Sequence, residues 1–366
     1  MNLTRQMTFW GLTLAILVLL LWLLRGILLP FVAGMAIAYL LDPVANRLEQ
    51  LGVNRLVATL AIIGLFIVAL LVLFVLLAPI LGGQLASFIE KVPDYITRLQ
   101  SLVMDPGRPW LRKILGESFS DLSKTTSELV RQGMGWLATF LASLWSGGQA
   151  LISIFGLMIV TPVVAFYLML DWNRMIAAVD SWVPVHHLEV VRGLAREINE
   201  AIAGFVRGQT AVCLILGSYY VVALSFIGLN FGLLIGLVSG LITFVPYLGS
   251  MTGLLIGVTV ALAQFWPDYV LILSVLGIFL VGQFLEGYVL SPLLVGESVG
   301  LHPVWLMFAL FAFGYLFGFV GLLVAVPLAA AVGVLARFAL RRYLASPLYT
   351  GVDPLPSDGT RRVGSP

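Results

Sequence analysis

Between Gln283 and Leu306 the chain reads QFLEGYVLSPLLVGESVGLHPVWL, which sets Glu286, Ser291, Pro292, Gly296, Glu297 and His302 into an otherwise uncharged apolar region. An ionisable group near hydrocarbon is costly, about 2.5–3.5 kcal/mol for Asp, Lys or Arg at a helix centre, so such groups face a bundle interior or a watery cavity. The first hypothesis is therefore a pathway for a polar solute or ion. Glu286 is the leading residue, with two readings of equal standing: proton coupling or contact with a hydroxylated substrate, and an ion pair with Arg207. If its helix ends near Leu290, the carboxylate lies about one turn inside the membrane boundary. Gln283 and Asn230 are amides suited to substrate hydroxyls or to interhelical hydrogen bonds. Glu297 and His302 fall on a loop that is either a gate or solvated. Pro246, Tyr247 and Gly249 mark a second break, where proline removes a donor and frees backbone groups that protein, water or ligand must satisfy.

The elements that carry these residues are set by composition. Of 366 residues 60% are hydrophobic and 10% charged, and the mean hydropathy is +1.05, far from the soluble average of about a quarter charged. The chain reads as an all-α polytopic membrane protein, with about six full spans, two short broken helical hairpins and an extramembrane amphipathic helical region. A net charge of +2, scattered along the chain, gives no basic stripe for nucleic acid. The single Cys213 forms no intrachain disulfide. His186-His187 lack the Cys or HExxH spacing of a zinc site, so no metal or cofactor is expected. No nucleophile, base and orienting group stand at interpretable spacing, and no Gly-Lys-Ser/Thr phosphate loop occurs, which argues against an enzyme or an ATP-driven pump.

In chain order, residues 1–81 hold N-terminal membrane helices. Two brief apolar runs, Phe9–Leu24 and Gly26–Leu41, predict a tight hairpin turning near Arg25 and Pro30, closed by Asp42-Pro43; Leu56–Leu81 is long enough to cross with tilt. Residues 82–148 form a solvated segment whose apolar seam from Leu85 to Val103 predicts an amphipathic helix broken by Asp105–Pro109. Residues 149–171 are a span containing Pro162 and closed by Asp171. Residues 172–207 carry an amphipathic helix with a Val190–Phe205 stripe, 208–344 are a transport core, and 345–366 are a mobile tail. In the short loops and the tail, basic residues lie at Arg47 and Arg55, at Arg174 to Arg207, and at Arg337 to Arg342, and none lies between Arg207 and Arg337; the long 82–148 segment carries seven more, but segments of that length translocate largely regardless of charge. The positive-inside rule then places both termini in the cytoplasm and the 82–148 segment on the far side.

The core has a grammar of its own. Gly228, Gly232, Gly236 and Gly240 recur every four residues, which lets helix backbones approach closely inside lipid. Gly228-Leu229-Asn230 answers Gly300-Leu301-His302, and the turn glycines Gly249 and Gly321 each lie 21 positions past the opening glycine, 228 to 249 and 300 to 321. With oppositely directed leading spans this is an inverted repeat, and interrupted segments in corresponding halves are where secondary transporters bind substrate. From the residues alone, a secondary transporter leads, and a non-transporting membrane scaffold or regulator is the alternative.

Several motifs, in order, carry a resemblance: Pro30-Phe31, Gly34, Ala38-Tyr39, Asp42-Pro43, Arg207-Gly208-Gln209, Val245 to Gly249, Glu286-Gly287, Ser291-Pro292, Gly296, Gly300 to Pro303, Gly318 to Gly321 and Val326-Pro327-Leu328. Together they resemble the autoinducer-2 exporter family of bacterial permeases. The resemblance implies a homo-oligomeric multi-pass inner-membrane protein that exports a small polar signal molecule or, in some members, exchanges sodium for protons. The chain departs from the pattern at Ser250-Met251, which bears on substrate rather than fold.

Overall fold

A computed structural model of the protein describes residues 3–103, 149–246, 248–296, 300, 302–346 and 349. The chain is an all-α polytopic membrane protein: the regular structure among the described residues is helical, and seven segments are long and apolar enough to span a bilayer. Helix α1 (Leu3–Leu23) passes through a 3-10 turn (Arg25–Ile27) into α2 (Leu28–Gln50). It is followed by α3 (Arg55–Val103), α4 (Gln149–Ser181), α5 (Leu188–Ile227), α6 (Gly232–Ile242), α7 (Leu248–Phe265) and α8 (Tyr269–Phe284). Helix α8 widens into a π-helical stretch (Leu285–Val295), and α9 covers Pro303–Leu344.

Several boundaries differ from those the sequence suggests. Helices α1 and α2 do not form a tight hairpin. Leu24 (φ −88°, ψ 5°) and Ile27 (φ −107°, ψ −1°) flank a 3-10 turn with no left-handed or extended residue to reverse the chain, so it bends instead, and α1 has little contact with α2. Asp42-Pro43 does not end α2, because the packing face continues beyond it: Ala38 and Ala45 are buried, with Leu41 and Leu48, against Ala165 and Met169 of α4. Arg55 bridges the same region, its Nη2 donating to Asp42 Oδ1 at 2.6 Å and its Nε to the Met169 carbonyl at 2.9 Å. Helix α4 likewise runs through Pro162 and Asp171 to Ser181. The run Leu56–Leu81 and the amphipathic seam to Val103 form one 49-residue helix, about 73 Å long and far beyond the roughly 30 Å of hydrocarbon. The break at Asp105–Pro109 and the remainder of that segment lie outside the described residues.

Both interrupted units of the core are folded back on themselves. Helix α6, with 11 residues, is about 16 Å long, half a hydrocarbon thickness. It returns as α7, so that a Cβ on Gly249 would lie 2.1 Å from Thr243 Oγ1 and one on Gly253 2.2 Å from Ser239 Oγ. In α9 the reversal is at Gly318, whose φ of 63° and ψ of −139° only glycine adopts readily. A Cβ on Gly321 would sit 1.8 Å from the Phe313 carbonyl oxygen, a pair that a straight helix would hold about 12 Å apart.

Helix α5 is the axis on which these units pack. Val212, Leu216, Tyr220 and Leu224 are fully buried in one cluster with Ile235 of α6, Val260 and Ala261 of α7, and Val275 and Phe279 of α8. Association inside lipid depends on close van der Waals fit rather than on expulsion of water, and the small residues supply it. A Cβ on Gly240 would lie 2.2 Å from Gly217 Cα, and one on Gly236 2.5 Å from the Val221 backbone nitrogen. The contact is asymmetric, since a Cβ on Gly217 would meet Gly240 Cα only at 3.4 Å. We expect Gly240→Ala to destabilise the protein by about 1–3 kcal/mol, as overpacking against backbone does, and Gly217→Ala to be nearly neutral. Thermal unfolding in a single detergent checks this, and equal shifts for the two variants would contradict the packing described.

Candidate functional site

The break between α6 and α7 exposes backbone that the helix would otherwise satisfy. Thr243 caps α6 with its Oγ1 and N–H on the Ser239 carbonyl, at 2.8 and 3.0 Å, and Pro246, three residues on, has no N–H to serve as a donor to the Thr243 carbonyl. Gln209 of α5 supplies that donor: its Nε2 reaches the Thr243 oxygen at 2.5 Å, and the side chain is buried. The neighbouring Gly208 makes room on the same face, because a Cβ there would lie 2.3 Å from the Leu294 carbonyl oxygen of the π-helical stretch.

That stretch carries the acid. Helix α8 does not end near Leu290 but continues with π geometry to Val295, where Gly296 (φ 60°) terminates it. Pro292, which has no N–H, is accommodated by the widened turn, and π segments of this kind concentrate at functional positions. Glu286, only 9% exposed, turns inward from it. Its carboxylate is close enough to Cys213 and Tyr220 of α5 to act on both electrostatically.

Hairpin turn, π stretch, α5 and both arms of α9 enclose a cavity of about 420 Å³. Gln209, Ser250, Gln283, Glu286, Tyr288 and Ser291 supply its polar groups, and Phe205, Pro246, Val295, Leu306 and Val326 its apolar wall. The Ser250 hydroxyl is buried with no protein hydrogen-bond partner among the described residues. The arrangement offers a carboxylate, hydroxyls and amides inside an apolar wall, the make-up of a site that binds a small polar solute.

Of the residues singled out from sequence, the structure brings Glu286, Gln283, Ser291 and Pro246 together here. Gly249 is buried beside the cavity as a packing position of the hairpin, and Pro292 lies exposed on the π stretch. Asn230 is elsewhere: it sits past the far end of α5, about 30 Å from Gln209, with its Nδ2 on the Tyr95 hydroxyl at 3.2 Å and its N–H on Gln264 Oε1 at 2.7 Å. His302 caps α9, its Nδ1 accepting from the Val304 N–H at 3.3 Å. Arg207 makes no ion pair with Glu286; its Nε donates to the Ala203 carbonyl and it lines a separate pocket with Tyr39 and Asp42. Tyr247 and Glu297 lie outside the described residues. Gln209, Ser250 and Tyr288 were not among the sequence candidates. The signal for Gln209 was available, since it is the sole side-chain amide in the run from Gly208 to Ile227.

A membrane-spanning helical core with interrupted, folded-back helices around a polar cavity defines a transporter-like membrane protein. Residues 12–341 match the AI-2E family transporter profile, and the chain belongs to that family. It is 28% identical over 321 residues to YrrI of Bacillus subtilis (strain 168), covering 87% of this chain and 89% of that one. It is also 28% identical over 315 residues to PerM of Escherichia coli (strain K12), covering 83% and 85% respectively. Their names place these relatives among transport proteins and permeases.

The Gln209 contact is open to a direct check. Gln209→Leu leaves the Thr243 carbonyl buried without its donor, and we expect a loss of about 1–3 kcal/mol, read as a lower unfolding temperature. Retention of wild-type stability would mean that the hairpin break is satisfied in another way.

Proposed function

We infer that this protein is a secondary permease that moves a small polar solute through the Glu286 cavity, exporting a signal of the autoinducer-2 kind with coupling to an ion gradient. The observation that carries the reading is the cavity itself: a buried carboxylate, two serines and two amides converge where one helix is broken and another widened. Family membership and the transport and permease names of the relatives support it. The two folded-back units, turning at Gly318 and at the Thr243 to Leu248 break, support an inverted repeat with re-entrant hairpins. We place the protein in a bacterial inner membrane with both termini cytoplasmic, from its distribution of arginines, and as a homo-oligomer. Sodium/proton exchange is the second reading, favoured by the clustering of carboxylate, hydroxyl and amide oxygens, which are hard-cation ligands.

Reconstituted protein under an imposed proton or sodium gradient distinguishes these readings, with ion exchange and autoinducer-like polyols both followed. We expect gradient-driven movement in the wild type and a reduction of about tenfold or more in Glu286→Gln. Unchanged flux in the variant would leave the carboxylate a structural role, and absence of flux under every gradient would favour a scaffold.

A further inference from the structure

A second pocket, of about 270 Å³, lies where α5 meets α2 and α4, outside the Glu286 cavity. Its polar lining is Tyr39, Asp42 and Asn46 from α2, Trp172 from α4, and Asn199 and Arg207 from α5. The hydrogen bonds within it divide unevenly between acceptors and donors. Asp42, the one acid among the lining residues, accepts from Arg55 Nη2 on Oδ1 and from Asn46 Nδ2 on Oδ2, at 2.6 and 2.9 Å. Asn46 Oδ1 accepts from Arg55 Nη1, and Asn199 Oδ1 accepts from the Tyr39 hydroxyl at 3.0 Å. The Met169 and Ala203 carbonyls at its wall are taken by Arg55 and Arg207 Nε.

The donors are not used up in the same way. Arg207 engages only its Nε, on its own helix, which leaves both terminal nitrogens of an exposed guanidinium without a partner among the described residues. Asn199 Nδ2 and Trp172 Nε1 have no acceptor there either. Arg55, shared between Asp42 at 2.6 Å and Glu49 at 3.0 Å, occupies the acid of the pocket, and Arg207 is the lining cation that has no acid partner among the described residues. A pocket whose acceptors are engaged and whose guanidinium and N–H donors are open is complementary to an anion, and a planar guanidinium fits phosphate oxygens in particular. Met35, Ala38 and Leu168 continue its wall as an apolar surface suited to the uncharged part of such a ligand.

We propose that this pocket is a phosphate-binding site, taking either the phosphodiester of an anionic lipid headgroup or a free phosphate, and bridging α2 and α4 to the transport core through Arg207. The test uses the full chain in nanodiscs of phosphatidylcholine, with and without phosphatidylglycerol, and reads retained lipid by native mass spectrometry. Inorganic phosphate is titrated separately by calorimetry. Loss of one charge-assisted contact should weaken binding about tenfold to a hundredfold in Arg207→Gln. Asn199→Asp keeps the acceptor for Tyr39 but replaces an open donor with a negative charge, and should abolish binding while the fold persists. Arg341→Gln, at the exposed end of α9, is the control for general surface charge. Retention of phosphatidylglycerol, reduced by the two pocket variants alone, establishes the lipid source, and the same pattern with inorganic phosphate establishes the free one. Equal retention of both lipids with no phosphate heat, or equal losses in Arg207→Gln and Arg341→Gln, overturns the proposal.

Discussion

The hydrocarbon interior contains no water to accept or donate hydrogen bonds, and the architecture follows from that constraint. A helix can be broken there only if each backbone group it releases finds a protein partner or opens onto a cavity. In this chain the break at Thr243 to Leu248 is served by turn bonds of its own backbone and, at the Thr243 carbonyl, by one side chain, Gln209, reaching across from α5. The partner must be held at hydrogen-bonding distance, which explains why Gly208 stands beside it and Gly240 opposite Gly217. The polar contact and the close helix approach are parts of one solution.

The same constraint accounts for the position of the cavity. A turn interrupted at Pro246, set against a π stretch whose turns are widened around Pro292, leaves a volume lined by Gln209, Ser250, Gln283, Glu286 and Ser291. Glu286, at 9% exposure, faces a cavity that also presents hydroxyls and amides within its apolar wall. The serines and amides around it extend that environment.

Much of this was legible in the sequence. Composition set the class, the glycine spacing marked the close-packed face of α6, and Pro246 marked a break that the structure contains, while the reversal in α9 falls at Gly318, three residues before the turn glycine Gly321. Glu286, Gln283 and Ser291, which stand out because polar residues in a long apolar run have few other reasons to be there, line one cavity in the structure. The misreadings share a cause. Asp42-Pro43 and Asp171 look like helix ends by local preference, yet α2 and α4 continue through them because tertiary packing on Ala45 and Met169, and the Arg55 clamp, outweigh that preference. Asn230 was drawn to the site by its residue type, although the length of α5 places it about 30 Å away, a separation set by geometry rather than by motif. Ser250 went unlisted as a site residue because its importance lies in burial beside Glu286, which no spacing encodes.

Helix α3 adds a mechanical consequence. Near its start it packs on α2 and α4, while Gln84, Tyr95 and Arg98 hold the Leu234 N–H, Asn230 and the Ala263 carbonyl at the other end of the core. One uninterrupted rod is thus bolted at two stations to bodies that are otherwise joined mainly through α5. A shift of the α6–α7 unit against the N-terminal helices has to shear one of these fastenings or flex the rod, and Pro79, between the stations and lacking the N–H that would complete the ladder, is its most compliant point.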